Sequence, residues 1–223
     1  MKLKIFIVIF IMTIQHTSAQ IPFEVMAGNK QTLYYAYIQK DLDSIGRWNI
    51  FSQSLYAIHY KDKTQNTISI EGQLTYQFNN WLGVSGGGGF DGTEFIPTLG
   101  LSFGYLNKKE DFSISAFPMV QLVKPIALDF FTLINYSPQF NKKWGIFSQL
   151  IAGTNLGIQN KYPNQQREIL NIFTQHNISN QLFRIGLNYK QKFQFGVGAD
   201  FSQFGMNKET FENFGVFLRY QIE

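Results

Sequence analysis

The stretch FENFGVFLRYQIE, residues 211–223, predicts an extended strand, because its side chains alternate with a period of two. One face of an extended strand would carry Phe214, Val216, Leu218, Tyr220 and Ile222, and the other would carry Asn213, Gly215, Phe217, Arg219 and Gln221. A soluble edge strand fits this pattern. A strand with lipid on one side and a polar lumen on the other fits it equally well, so the rest of the chain must discriminate.

The composition favours a surface that does not meet water everywhere. The 223 residues include 23 Phe, 11 Tyr and 3 Trp, and only 15 % are charged, against about 25 % in ordinary globular domains. With 0 Cys, the chain has no disulfides, no cysteine-linked lipid and no thiol chemistry. Lys and Arg occur in no run longer than a pair, so no nucleic-acid partner is expected.

The first residues have the layout of a cleavable secretory signal. Lys2 and Lys4 precede the apolar run Ile5 to Ile14, and small residues lead to Ala19. The run is about half the ~20 residues that a spanning helix needs, so an uncleaved anchor is the weaker interpretation. We expect export through the secretion translocon and cleavage near Ala19-Gln20.

The clearest membrane-strand pattern runs from Thr67 to Phe78. Apolar side chains alternate there with Thr, Ser, Glu and Gln over a length that suits a tilted transmembrane strand of ~9–11 residues. Four short polar turns then recur along the chain, at Asn79-Asn80, 107–110, 141–143 and 190–192. Each turn is flanked by aromatic residues: Phe78 and Trp81, Tyr105 and Phe112, Phe140 and Trp144, Tyr189 and Phe193. Rings beside polar turns are typical of a membrane interface, and the connections at the other end are longer, as on the extracellular side of a barrel.

The predicted fold is an all-β, antiparallel, up-and-down transmembrane β-barrel of about twelve strands. Ten strands fit between Arg47 and Ile222. The segment from Phe23 to Gln39, with a turn at 28–30, adds a hairpin and gives twelve; alternatively, ten strands are accompanied by an N-terminal plug or arm. Residues 1–19 are then the signal peptide, and residues 20–223 form a single barrel domain.

Candidate chemistry is sparse. Gly87 to Gly92 matches a dinucleotide-binding spacing, but the next residues open another strand rather than the helix that such a loop requires. The histidines His59 and His176 have no nearby carboxylate or serine at a suitable local spacing. We therefore predict no catalytic residues, no metal and no cofactor.

Five charged residues are predicted to face the lumen: Glu71, Asp129, Arg184, Asp200 and Arg219. Arg184 would lie diagonal to Asp200 in their hairpin, close enough for an ion pair. Two interpretations remain open. The charges neutralise each other inside a narrow barrel, or they line a water-filled path that selects solutes.

The last strand resembles the C-terminal signal that the barrel-assembly machinery reads, with Asn213, Gly215, Leu218 and Tyr220 at the matching positions. The chain ends on Ile222-Glu223, where many bacterial barrels end on Phe. This resemblance implies the assembly machinery as a partner.

Longer segments are similar to small outer-membrane barrels of Bacteroidetes-type bacteria: FEVMAG at 23–28, FRIGL at 183–187, FGVGADF at 195–201 and GVFLRY at 215–220. In size and in the spacing of its hairpins the chain is also loosely similar to twelve-stranded nucleoside channels. No motif in the sequence matches nucleoside-binding residues of those channels. The resemblance implies a porin-like protein in the outer membrane of a Gram-negative bacterium, in contact with outer-membrane lipid.

We expect a non-enzymatic barrel, either a narrow channel for small solutes or a structural barrel. The alternatives are an outer-membrane enzyme (a hydrolase or acyltransferase acting on lipid or peptide) and a surface-binding barrel that uses the loop at 159–175. The sequence makes no prediction of oligomeric state.

Overall fold

Twelve antiparallel strands close into a barrel in the computed structural model, which describes residues 21–90, 92–123, 126–160, 172–204 and 209–222. The strands are β1 (Ile21–Gly28), β2 (Gln31–Asp41), β3 (Trp48–His59), β4 (Thr67–Gln77), β5 (Leu82–Phe90), β6 (Phe95–Leu106), β7 (Phe112–Gln121), β8 (Ala127–Tyr136), β9 (Trp144–Asn160), β10 (Ile172–Tyr189), β11 (Phe193–Phe204) and β12 (Glu209–Ile222). Each strand pairs with its neighbours in sequence, and β1 pairs with β12. The prediction of an all-β up-and-down barrel with twelve strands is confirmed. The alternative of an N-terminal plug is wrong for residues 21–41, which form two strands of the wall.

The seam between β1 and β12 closes the barrel. Its register runs from Ile21 opposite Ile222 to Gly28 opposite Gly215. The two edge strands of the sheet are therefore paired with each other along this register, which closes the barrel. The first strand of the barrel is the one that contains Phe23, and not the one near Arg47.

The outer surface is apolar because alternate residues of each strand point away from the lumen. In β12, Val216 and Leu218 are 61 % and 57 % exposed, whereas Arg219 is only 1 % exposed. The same alternation places Leu74 outside and Thr75 inside on β4. Among the described residues, no helix is long and apolar enough to cross a bilayer.

Three of the four predicted polar turns, which lie on one rim, are closed by an asparagine side chain: Asn79, Asn107 and Asn141. Asn79 Oδ1 accepts hydrogen bonds from the backbone N–H groups of Trp81 and Leu82, and Asn141 Oδ1 accepts from Lys143 and Trp144. An asparagine that binds its own following backbone stabilises a tight turn, which explains why these turns are rich in this residue.

Aromatic rings pack beside these turns, as the sequence predicts. The ring centroids of Trp144 and Tyr189 are 4.7 Å apart, and those of Phe193 and Tyr220 are 4.8 Å apart. The opposite rim carries a short 3₁₀ turn, Lys63–Gln65, capped by Asp62. Hydrogen bonds from the side chain and backbone of Thr64 hold the pKa of the Asp62 carboxyl below its usual value.

Inward-facing glycines allow the strands to approach one another closely on the concave side. A Cβ at Gly87 would lie 1.9 Å from the carbonyl oxygen of Gly72, and a Cβ at Gly186 would lie 2.1 Å from that of Phe195. Only glycine fits such positions. The glycine run from Gly86 to Gly89 lies within β5, so it is part of a regular strand and not a phosphate loop.

Candidate functional site in the barrel lumen

A buried three-residue ionic cluster connects three strands across the seam. Glu24 of β1 accepts a hydrogen bond from Arg184 Nε of β10 at 2.6 Å through Oε1. Its second oxygen, Oε2, accepts from Arg219 of β12, at 2.9 Å from Nε and 2.6 Å from Nη2. Each of the three side chains is 1 % exposed. One carboxylate therefore neutralises only one of two guanidinium groups.

The arginines of this cluster make further contacts across the lumen. Arg219 also donates to Gln149 Oε1 of β9, and its guanidinium carbon lies 4.6 Å from the ring centroid of Phe147. Arg184 Nη2 is buried with no hydrogen-bond partner among the described atoms. The side chain of Arg184 lies against Gly198, where an added Cβ would come within 3.1 Å of Arg184 Cδ. Glycine therefore makes room for the long side chain.

Asp200 is bound by an amide and not by the arginine. Its Oδ2 accepts from Gln31 Nε2 at 2.8 Å, and its Oδ1 accepts from Ser202 at 3.4 Å. The hairpin register does place Arg184 diagonal to Asp200. Arg184 nevertheless forms its hydrogen-bonded ion pair with Glu24, three strands away around the barrel, and no described hydrogen bond joins it to Asp200. In a closed barrel, inward side chains converge, so non-adjacent strands compete with hairpin neighbours for a partner.

A cavity of about 120 Å³ lies on another side of the lumen and contains the other two predicted charges. Glu71 of β4 and Asp129 of β8 both line it, together with the polar side chains Ser69, Gln73, Thr98 and Gln121. Glu71 accepts from Gln53 Nε2 at 2.6 Å, and Gln53 Oε1 in turn accepts from the Tyr35 hydroxyl at 2.9 Å. Gly89 faces Glu71 across the hairpin and leaves space for the carboxylate.

Three phenylalanine rings fill the lumen between strands β3, β7 and β8. The ring centroid of Phe51 is 5.3 Å from that of Phe117 and 5.4 Å from that of Phe131. Phe117 and Phe131 are 6.1 Å apart. All three are at most 8 % exposed, so water has little access to them. We call these residues the aromatic cluster.

The four residues that resemble an assembly signal divide between the two faces of β12. Asn213 is fully buried, and its Oδ1 accepts from the backbone N–H groups of Lys30 and Gln31 at the tip of the first hairpin. Gly215 faces Gly28 across the seam, whereas Leu218 and Tyr220 are exposed on the outer surface. Asn213 and Gly215 therefore contribute to the closure of the barrel between β12 and the first hairpin. Recognition by the assembly machinery stays a prediction.

The described residues contain no constellation suited to metal binding. No group of three or more His, Cys, Asp or Glu side chains within the described ranges could hold a metal ion. His59, at the end of β3, packs against the ring of Phe211, with 5.1 Å between ring centroids. The side chain of His176, the predicted signal peptide and most of the loop at 159–175 lie outside the described part of the chain.

Glu24 and the aromatic cluster are the features that sequence reasoning missed. Glu24 lies between Pro22 and Met26 on the inner face of β1. The twelve-strand prediction, with its alternation of faces, already implies an inward position for this carboxylate, but Glu24 was not singled out among the lumen charges. The aromatic cluster gave no such signal, because Phe51, Phe117 and Phe131 look like any of the 23 phenylalanines until the strand register is known.

Comparison with known proteins identifies the fold. No family model matches the chain, and no curated protein sequence matches it. The NanC porin structure aligns with a TM-score of 0.53 and 8 % sequence identity, covering 92 % of this chain and 100 % of that one. The fold is that of an outer-membrane porin. The KdgM porin aligns over 92 % of this chain and 99 % of its own, with 12 % identity and a TM-score of 0.49.

Proposed function

We propose that this protein is a narrow channel for small polar solutes, closed in the present conformation by its own side chains. The observation that carries the proposal is the content of the lumen. The buried cluster of Glu24, Arg184 and Arg219 and the aromatic cluster obstruct the barrel, and both consist of side chains projecting from the wall. Withdrawing these side chains requires changes of rotamer and no unfolding of the wall, so this closure is reversible in a way that a folded plug is not.

The size of the barrel supports this proposal. An eight-stranded barrel is just wide enough for side chains to fill, and barrels of about 16–18 strands leave an aqueous channel. Twelve strands lie between these limits. Large residues such as Phe51, Arg184 and Arg219 are needed to span the space, and withdrawing a few of them would open a passage of small cross-section.

The charges of the lumen favour small cations when the passage is open. Glu24, Glu71, Asp129 and Asp200 oppose Arg184 and Arg219, so these six side chains carry 2 − 4 = −2 if all are ionised. A ring of net negative charge concentrates cations and repels anions in a narrow pore.

A planar-bilayer recording tests the channel directly. Replacement of Phe131 by Ala is expected to raise single-channel conductance, because it removes a ring from the aromatic cluster. The matched control is Phe130→Ala: this neighbouring ring is 41 % exposed on the lipid-facing surface and should leave conductance unchanged. Absence of any ion current from both the wild type and Phe131→Ala would favour the structural barrel instead.

Selectivity is tested by the Arg184→Ala variant in the same recordings. Removing one positive charge changes the net charge of these six lumen side chains from −2 to −3. The reversal potential in a salt gradient should therefore shift towards stronger cation preference. Unchanged current and reversal potential would show that Arg184 does not face a conducting path.

The biological setting is part of the proposal. We propose that the chain belongs to a Gram-negative bacterium of the Bacteroidetes type, is exported through the translocon with cleavage near Ala19, and is inserted by the barrel-assembly machinery. The signal-like residues 1–19 and the pattern of β12 support these steps. We further propose a role without catalysis.

A further inference from the structure

Two neighbouring turns bring several lysines together at the rim with the short turns. The turn at 141–143 contains Lys142 and Lys143, and the turn at 190–192 contains Lys190 and Lys192. The two turns touch, since the backbone N–H of Lys190 donates to the carbonyl of Lys143 at 2.6 Å. Neither turn contains an acidic residue. The result is a local concentration of positive charge beside the membrane.

An open groove of about 510 Å³ runs up the lipid-facing wall from these lysines. Its lining comprises Lys143, Trp144, Tyr189, Phe193, Phe195 and Leu218. The Nζ atom of Lys190 lies 5.4 Å from the ring centroid of Tyr189, so a second ammonium group borders the same groove. The groove is therefore cationic at the rim and apolar towards the middle of the bilayer.

We propose that this groove is a binding site for an anionic glycerophospholipid of the periplasmic leaflet. Lys143 and Lys190 would bind the phosphate, and an acyl chain would lie along the rings and Leu218. The charge complementarity identifies the ligand class: lysines close to a membrane surface attract anionic lipid headgroups, and basic pockets between membrane segments bind them. Aromatic rings at headgroup depth hold the adjoining part of the lipid. This site lies on the outer surface and does not depend on the lumen being a channel.

A third turn on the same rim also contains lysines and provides an internal comparison. Lys108 and Lys109 occupy the turn between β6 and β7, also flanked by aromatic residues. There, however, Glu110 and Asp111 follow directly and offset the charge. If rim lysines attracted lipid wherever they occur, the turn at 107–110 would bind lipid as well. A specific site would involve only the turns at 141–143 and 190–192, beside the groove.

Native mass spectrometry of the detergent-purified protein tests the proposal, with phosphatidylglycerol or phosphatidylcholine added at equal concentration. The wild type should retain phosphatidylglycerol preferentially. The double variant Lys143→Ala/Lys190→Ala should lose affinity by on the order of 25-fold, about fivefold for each lysine near the surface. The control Lys108→Ala/Lys109→Ala should retain wild-type binding. Equal retention of both lipids by the wild type, or equal losses in the two double variants, would overturn the proposal.

The apolar half of the groove is tested separately. Phe195→Asn places a polar group in the groove and should weaken phosphatidylglycerol retention. Val197→Asn, two residues along the same lipid-facing strand and outside the groove lining, is the matched control. Folding of every variant is checked by the gel mobility of unheated samples. Equal effects of the two substitutions in folded protein would contradict an acyl-chain site.

Discussion

Replacing Glu24 by Gln should destabilise the barrel strongly, because the variant leaves two guanidinium groups buried without a counter-charge. Glu24 accepts three hydrogen bonds from Arg184 and Arg219, and all three side chains are 1 % exposed. Removing one member of a buried ion pair typically costs about 3–5 kcal/mol. We expect a loss of that size, since an amide at position 24 carries no charge to neutralise the arginines and replaces one accepting oxygen with an NH₂ donor.

Equilibrium unfolding in a denaturant measures this loss, with the protein in detergent micelles and tryptophan fluorescence as the signal. The double variant Glu24→Gln/Arg184→Gln supplies the key comparison. The cluster carries 2 − 1 = +1 in the wild type, +2 in the single variant and +1 in the double variant. The double variant should therefore be more stable than the sum of the two single effects predicts, by about 0.5–3 kcal/mol.

A small effect would refute the reasoning. If Glu24→Gln changed the unfolding free energy by less than about 0.5 kcal/mol, the value typical of surface sites, the arginines would have to be solvated by water. The lumen would then be open at the level of Glu24, and the proposal of closure by side chains would fail with it.

Two further substitutions test the wall of the barrel. Leu218→Arg should cost about 2–4 kcal/mol near the bilayer midplane, and less towards the rim, because Leu218 is 57 % exposed on the lipid-facing surface; normal folding and stability in bilayers would place this residue elsewhere. Gly87→Ala should prevent or severely slow folding, because its Cβ would lie 1.9 Å from the carbonyl oxygen of Gly72. The control Gly72→Ala should be tolerated, since no atom lies within 4 Å of a Cβ there. Comparable yields of heat-modifiable protein from both glycine variants would contradict the close approach of the strands at Gly87.

The strand pattern and the membrane-facing surface could be predicted from the amino-acid sequence. A period of two is a local property, so the lipid-facing side chains of β4 and β12 could be assigned from the alternation alone. The turns could also be predicted from local sequence, because an asparagine such as Asn79 stabilises a turn by accepting hydrogen bonds from the backbone that follows it. The first hairpin was harder: the segment from Phe23 to Gln39 fits either a wall or a plug until its partners are known.

The contacts inside the barrel could not be predicted in this way, because they depend on how the closed sheet brings distant strands together. The partner of Arg184 is Glu24, 160 residues away in sequence, and no local spacing distinguishes that contact from the nearer Asp200. The same holds for the aromatic cluster, whose rings come from three strands and meet only at one particular register. Closure of the sheet turns every inner face towards a common axis, so contacts in the lumen depend on strand number, register and curvature together. Alternation along a single strand shows that a side chain points inward, and the closed barrel determines what it meets there.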